Sequence, residues 1–375
     1  MHVLFLVSSM QGGGAERVAA LLSNAWAARG MRVTLMPTFS GRGTCLYTLD
    51  DRVQLDFLAD HVRGRRGRLS RLWALRRHIR RSRPDVIVSF LTDVNVAAIL
   101  AAFATDVPVV VSERAWPPAC RPVAPVRLLR WWLYRRAAGV VVQTTDTRDW
   151  IAAACPGARP VVIPNPVEHP MRRGVPCVLP ERVVGPQRKV VLAVGRFARE
   201  KRMDRVIAAF ERVAARHPQW DLVILGEGEE RAALTAQVSR AGLACRVHMP
   251  GFVGNTGDWY GRADLHALTS EFEGFPNALL EAMAHGLPAI AFDIRSGPRD
   301  LTEGGRSGLL LPDADHVAGL AEAFDALMGD PARRRAIGAR AACVRERFGP
   351  DRILARWDEV FATVRAARSP SHGDR

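Results

Sequence analysis

Glu273 and Glu281 stand eight positions apart within Ser270–Pro288, S-E-F-E-G-F-P-N-A-L-L-E-A-M-A-H-G-L-P, on either side of a loop-to-helix transition. Phe275-Pro276-Asn277 can open a helix through Ala278-Leu279-Leu280-Glu281-Ala282-Met283-Ala284, and Gly286 with Pro288 beyond it stops that helix. The amides of its first turn lack partners within the helix and form a natural diphosphate cradle. If every position between the two carboxylates were helical, they would stand roughly 12 Å apart along the axis. That is wider than the ~5 to 9.5 Å of a glycosidase acid/base or nucleophile pair. A pair spread this far suits the two ends of one elongated ligand such as a nucleotide sugar. Glu281 would accept hydrogen bonds from ribose hydroxyls, Glu273 would lie near the sugar, and the amides between them would hold the diphosphate. An amphipathic helix with solvated glutamates has the same spacing, so the rest of the chain has to decide.

The elements that must position this segment are strands alternating with helices. Apolar runs predict strands at Val3–Val7, Val33–Pro37, Val86–Phe90, Val109–Ser112, Val140–Gln143 and Val161–Ile163, then at Val190–Val194, Leu222–Leu225, Val247–Met249, Leu265–Leu268, Ala289–Ala291 and Leu309–Leu311. Such alternation reads as α/β architecture with two doubly wound parallel sheets. A chain of 375 residues with 48% apolar content can bury two ordinary cores. The expected division is a first domain over 1–170, a linker over 171–188 rich in Pro, Gly and Arg, a second domain over 189–350, and a terminal helix over 351–368. That helix has apolar spacing at Ile353, Leu354, Trp357, Val360, Phe361 and Val364, and residues 369–375 form a disordered tail. Ligands of doubly wound sheets sit beyond the carboxyl ends of the strands, and here those ends are expected to face each other across a cleft.

Glycines and cations narrow the chemistry. Gly12-Gly13-Gly14, directly after the first strand, presents backbone amides and permits positive φ, so the loop can pass close beneath a phosphate or sugar. It is not a dinucleotide fingerprint, because the pattern ends at Arg17, and Gly226-Glu227-Gly228 fails at Arg231 in the same way. Neither lysine, Lys189 or Lys201, completes a phosphate-loop sequence, so NAD binding and ATP hydrolysis recede. Glu16 and Arg17 open the next helix and either meet an acceptor or cap that helix. Six cysteines are scattered without a C-x-x-C pair or nearby histidine ligands, which supports neither a disulfide framework nor a zinc site. Asp313-Ala314-Asp315, the one literal D-x-D, precedes a helix and reads as its cap rather than a metal site. No metal or other cofactor is expected.

The E-x7-E segment, with G-F-P-N-A-L-L inside it and H-G-L-P-A-I after it, resembles glycosyltransferase family 4, retaining enzymes of the GT-B fold. The same likeness holds for Gly12-Gly13-Gly14-Ala15-Glu16-Arg17-Val18, Ile163-Pro164-Asn165-Pro166-Val167, Val194-Gly195-Arg196-Phe197-Ala198-Arg199-Glu200-Lys201, Leu225-Gly226-Glu227-Gly228 and Gly251-Phe252-Val253. These motifs occur in family order over about 290 residues, which chance does not readily produce. The resemblance implies a donor side built from Gly12, Gly13, Gly14, Gly195, Gly226, Val253, Phe275, Pro276, Asn277, Ala278, Leu279 and Glu281. It implies catalytic roles for Arg196, Lys201 and Glu273, the cations neutralising the leaving diphosphate in the pattern G-R-x4-K. Retention then follows a front-face course in which the departing phosphate takes the acceptor's proton. An acceptor side would include Glu16, Arg17, Glu113, Arg114 and Asn165. Related sequences often carry a histidine where this chain has Arg114, so that histidine's role does not transfer. Glu113 and Arg114 are read as orienting an acceptor hydroxyl or phosphate, a salt bridge within the fold being the other reading.

The formal net charge of +15 is unevenly placed: 25 basic against 12 acidic residues up to position 180, and 28 against 26 after it. His61–Arg83 and Arg121–Arg136 concentrate the excess, with Leu69, Leu72 and Trp73 in the first and Leu128, Trp131 and Trp132 in the second. Basic helices with Trp and Leu on another face read as membrane-surface elements, the alternative being Arg-rich solvated helices with the tryptophans in the core. No recognisable nucleic-acid motif accompanies the charge. No apolar run reaches the ~18 residues of a membrane span, and the N-terminus lacks a signal-peptide pattern, so a cytoplasmic, membrane-peripheral location is expected. The resulting expectation is a metal-independent transferase moving a hexose or N-acetylhexosamine from a UDP-sugar to a growing lipid-linked surface glycan. A soluble acceptor, or a noncatalytic nucleotide- or glycan-binding subunit, is the alternative.

Overall fold

The computed structural model describes residues 1–39, 45–62, 67–120, 123–312 and 316–367. The expectations for Asp313–Asp315 and for the tail at 369–375 lie outside the described residues. Contacts divide the chain into two units, Met1–Asn165 together with the segment from Asp351, and Pro166–Pro350.

The first unit is built on seven strands: β1 His2–Val7, β2 Arg32–Pro37, β3 Val53–Leu55, β4 Val86–Phe90, β5 Val109–Ser112, β6 Gly139–Val142 and β7 Pro160–Val162. Their order is β3-β2-β1-β4-β5-β6-β7, with every pairing parallel. All residues of β1, β4, β5 and β6 are buried, as strands covered by helices on both faces must be. Strand order reverses between β1 and β4, and a crevice forms where neighbouring connections leave in opposite directions. The helix Pro350–Ala366 returns to this unit, as expected. It sets Trp357 and Phe361 against Trp26 with ring centroids 5.5 and 5.3 Å apart. β3 escaped sequence reading because V-Q-L is only three residues long and has one apolar side.

The second unit carries β8 Lys189–Val194, β9 Trp220–Leu225, β10 Val247–Gly251, β11 Leu265–Leu268, β12 Ala289–Phe292 and β13 Leu309–Leu311. Their order β10-β9-β8-β11-β12-β13, again all parallel, reverses between β8 and β11. The expected linker over 171–188 is instead tied to this unit. Gly174 N–H donates to Gly254 O at 2.9 Å, Val178 N–H to Asn255 Oδ1 at 3.0 Å, and Trp259 Nε1 to Val178 O at 3.0 Å. Composition pointed to a linker because periodicity is absent, but an irregular segment can still satisfy its backbone groups on a folded surface.

His266, within β11, is fully buried, with no hydrogen-bond partner at either ring nitrogen. Burial lowers its pKa from 6.5 to about 4. Between those values the unfolded chain takes up a proton that the folded chain refuses. The folded state therefore loses stability as pH falls through that window, by about 3 kcal/mol in all. Urea denaturation of wild type and His266→Leu from pH 7.5 to 4 should show the wild type losing more, with the gap opening below pH 6.5. Parallel curves would contradict a buried neutral histidine.

Candidate active site

In the second unit the segments after β8, β9, β10 and β11 carry the sequence-predicted donor residues from Gly195 to Glu281. After β8 the chain passes Gly195 and Arg196 and enters a short 3-10 turn, Arg199–Lys201. It runs hard against the loop that follows β9. Phe197 N–H donates to Glu227 O at 2.8 Å, and a Cβ on Gly226 would lie 1.9 Å from Gly195 O. Only glycine fits there. Gly226→Ala is expected to cost about 1 to 3 kcal/mol in urea denaturation by overpacking, and to displace Gly195 and Arg196. Gly261→Ala, where the added methyl meets nothing within 4 Å, is the control that should change little.

Lys201 and Glu273, 72 positions apart, meet at the switch point between β8 and β11. Lys201 Nζ lies 2.6 Å from Glu273 Oε1, with side-chain exposures of 21% and 11%. Ser270 Oγ donates to the same carboxylate oxygen at 2.7 Å. Thr269 Oγ1 donates to the carbonyls of Lys201 and Arg202 at 3.0 Å each, and Glu271 N–H donates to Glu200 O at 2.8 Å. The loops after two neighbouring strands are thus stitched together beneath the ion pair. Arg196, two-thirds exposed, pairs with Glu200 at 2.7 Å and keeps its guanidinium at the surface.

The helix beyond Glu273 spans Asn277–Ala284, so Glu273 itself lies in a loop and the fully helical separation does not apply. Leu280 N–H is the first amide to bond back into the helix, to Pro276 O at 3.1 Å, and the Ala278 and Leu279 amides precede it. The turn is fixed from below: Ser296 Oγ donates to Gly274 O at 2.8 Å, and a Cβ on Gly297 would meet Pro276 Cδ at 2.3 Å. Phe275 packs on Phe348. Leu279 and Val253 are buried, so anything they offer a ligand is main-chain. Glu281 is 8% exposed and accepts from Tyr260 OH at 3.1 Å. The helix ends at His285, whose Nδ1 lies 2.8 Å from Glu281 O, and Gly286 adopts φ +74° beyond it.

In the first unit, Gly12 and Gly13 take positive φ and Gly14 starts the helix Gly14–Ala28. Tyr47 OH bridges the amide and carbonyl of Gly13 at 2.8 and 2.7 Å. Glu16 folds back onto this loop, accepting from Ser9 Oγ at 3.2 Å, and Arg17 lies over the Tyr47 ring. Glu113 is not laid open for a ligand. It is 2% exposed, accepts from Thr92 Oγ1 at 2.8 Å and Tyr134 OH at 2.5 Å, and has Arg130 at 3.9 Å. Burial raises its pKa despite these partners. Of the two readings of Glu113, the structure has the one internal to the fold. Arg114 stacks over Phe90 at 4.0 Å and donates to Asn165 Oδ1 at 2.5 Å, which ties two expected acceptor residues to each other.

Two doubly wound parallel sheets, one of them carrying a lysine-glutamate pair at its switch point, have the architecture of a GT-B glycosyltransferase. Residues 12–169 match the family profile described as Glycosyltransferase Family 4, and residues 188–330 the one described as Glycosyl transferases group 1. The chain belongs to this family of glycosyltransferases. It is 26% identical over 369 residues to the amylovoran biosynthesis glycosyltransferase AmsD of Erwinia amylovora, covering 96% of this chain and 99% of that protein. It is 29% identical to an exopolysaccharide phosphotransferase of Streptomyces coelicolor over 98% of this chain, although it spans only 41% of that protein's length. A Campylobacter jejuni α-1,4-N-acetyl-D-galactosaminyltransferase acting on a diphosphoundecaprenol-linked glycan is 24% identical over 98% of this chain and its own full length. Among solved structures, sucrose-phosphate synthase of Thermosynechococcus elongatus superposes with a TM-score of 0.82 at 19% identity, covering 98% of this chain and 100% of that one. Anabaena HepE in complex with UDP gives 0.77 at 21% identity, covering 97% and 100%.

Proposed function

We propose that this glycosyltransferase moves a hexose or N-acetylhexosamine from a UDP-sugar to a growing, lipid-linked cell-surface glycan with retention at the anomeric carbon. The observation that carries the proposal is the 2.6 Å contact between Lys201 and Glu273 at the β8/β11 switch point, with the first turn of the Asn277–Ala284 helix following in the chain. The acceptor hydroxyl oxygen bonds to the anomeric carbon as the bond from that carbon to the β-phosphate oxygen breaks. The acceptor's proton passes to the departing phosphate. Lys201, Arg196 and the Ala278 and Leu279 amides supply counter-charge to the leaving diphosphate, so transfer needs no divalent cation at that step. Glu281 holds the ribose. The surface-glycan reading rests on the amylovoran and diphosphoundecaprenol-linked relatives, and the UDP reading on HepE.

Calorimetric titration with UDP, GDP and ADP tests the donor site: UDP should bind selectively, and transfer should follow without added Mg²⁺ or Mn²⁺. A purified protein that binds UDP but never turns over a UDP-sugar would support the noncatalytic alternative instead. Nuclear magnetic resonance of the product's anomeric centre reads the stereochemistry.

The membrane-peripheral part of the proposal has its own support. No described helix is long and apolar enough to cross a membrane. The helices Arg68–Ser82 and Ala124–Leu133 bury one side in a common cluster and leave Leu69, Trp73, Leu128, Trp131 and Trp132 exposed among arginines. The tryptophans are therefore not core residues, and such faces suit an anionic leaflet on the cytoplasmic side. Salt-sensitive binding to phosphatidylglycerol vesicles is expected, and indifference to lipid charge would leave these as solvated helices.

A further inference from the structure

Among the described residues, Asp56, His61 and His78 bring three possible metal ligands together, their ligating atoms all within 4.8 Å of one another. Three places in the first unit deliver them. Asp56 follows β3, His61 ends the short helix Leu58–His61, and His78 lies in the helix Arg68–Ser82. His61 Nε2 stands 2.8 and 2.9 Å from the two Asp56 oxygens, and His78 Nδ1 stands 3.8 Å from Asp56 Oδ2. The two rings meet edge to face with centroids 5.1 Å apart. The main chain is held at all three positions: Asp56 N–H donates to Leu35 O at 3.0 Å, Arg77 donates to His61 O at 2.8 Å, and Ser82 Oγ donates to His78 O at 2.8 Å within the helix.

A histidine-aspartate hydrogen bond accounts for His61, whereas His78, at 3.8 Å, faces the same carboxylate from beyond hydrogen-bond reach. A tetrahedral ion with bonds of ~2.1 Å separates its ligands by about 3.4 Å, a value between the His61 and His78 distances to Asp56. Small side-chain rotations would therefore admit one. Arg81 opposes a cation, but its exposed charge is screened by salt.

We propose that Asp56, His61 and His78 bind one divalent transition cation, zinc by the chemistry of two imidazoles and a carboxylate, with water completing the coordination. Magnesium and calcium prefer all-oxygen sites, and copper(I) prefers sulfur. The ion would clamp the basic helix Arg68–Ser82, which displays Leu69 and Trp73, to the β3 edge of the sheet. This site is separate from the donor chemistry proposed above and does not depend on it.

The test uses the purified full chain, stripped with chelator and titrated with Zn²⁺ by calorimetry, with Co²⁺ as the spectroscopic probe. One equivalent should bind, and Asp56→Asn, His61→Gln and His78→Gln should each weaken it by about 10²-fold or more. Each should still bind UDP as the wild type does. The Co²⁺ adduct should show ligand-field bands without the thiolate charge transfer that any of the six cysteines would contribute. Wild type that takes up no ion, variants that bind it as well as wild type, or a thiolate band would each overturn the assignment. If one substitution disturbs folding, the other two and the wild-type cobalt spectrum still decide.

Discussion

Lys201→Ala is expected to slow sugar transfer by about 10² to 10³-fold while weakening UDP binding far less. Removing one preorganised group aimed at developing charge typically has an effect of that size. Leaving diphosphate accumulates negative charge only as its bond to the sugar breaks, so a cation beside it stabilises the transition state more than the bound substrate. Lys201 is held in one place by main-chain geometry. It ends the 3-10 turn Arg199–Lys201, its carbonyl is held by Thr269, and its ammonium is held on Glu273. Lys201→Arg should recover little, because a longer side chain with a broad, planar, delocalised guanidinium does not put a compact point charge where the ammonium sits beside Glu273. Glu273→Gln keeps the shape, loses the charge and releases the ammonium, so it should lower turnover with UDP affinity nearly intact. Single-turnover kinetics beside calorimetric UDP affinity separate the two effects. A Lys201→Ala protein within about threefold of wild-type turnover would remove the lysine from the mechanism.

The strands were legible because parallel strands covered on both faces must be continuous apolar runs, and twelve such runs stand out in this chain. β3 was not, since an edge strand of three residues carries too little pattern. The candidate donor residues stand out one by one in the family's motifs, but their contacts do not. Strand order is absent from a sequence, and it is the order β8-β11 that brings Lys201 to Glu273. Tyr260, which holds Glu281, lies 21 positions away with no local signal, whereas Ser270, three residues before Glu273, had the spacing of a local side-chain bond. The hydrogen bonds joining Glu113, Thr92, Tyr134 and Asn95 have no local signal for the same reason. Four residues from two connections converge only once β4 and β5 pair, and Asn95 then bonds both Ser112 O and Tyr134 OH at 3.0 Å.

Glu281→Ala should weaken UDP binding by about 10²-fold, which is the loss of roughly 3 kcal/mol from two charge-assisted hydrogen bonds to a ribose diol. The structure places this carboxylate in the second turn of the Asn277–Ala284 helix, nearly buried, with Oε2 already engaged by Tyr260 OH at 3.1 Å. A glutamate kept only for packing would tolerate Gln or Leu there. One that accepts two hydroxyls would not, because an amide offers a single acceptor oxygen and presents N–H groups to the other hydroxyl. Glu281→Gln should therefore bind UDP nearly as weakly as Glu281→Ala. Tyr260→Phe, which loses only the orienting hydroxyl, should cost about fivefold. The deoxyribose analogue of UDP makes the comparison specific: wild type should prefer UDP over 2′-deoxy-UDP, and Glu281→Ala should bind both alike. Equal UDP affinity in wild type and Glu281→Ala would overturn the ribose assignment and return Glu281 to the helix as a structural residue.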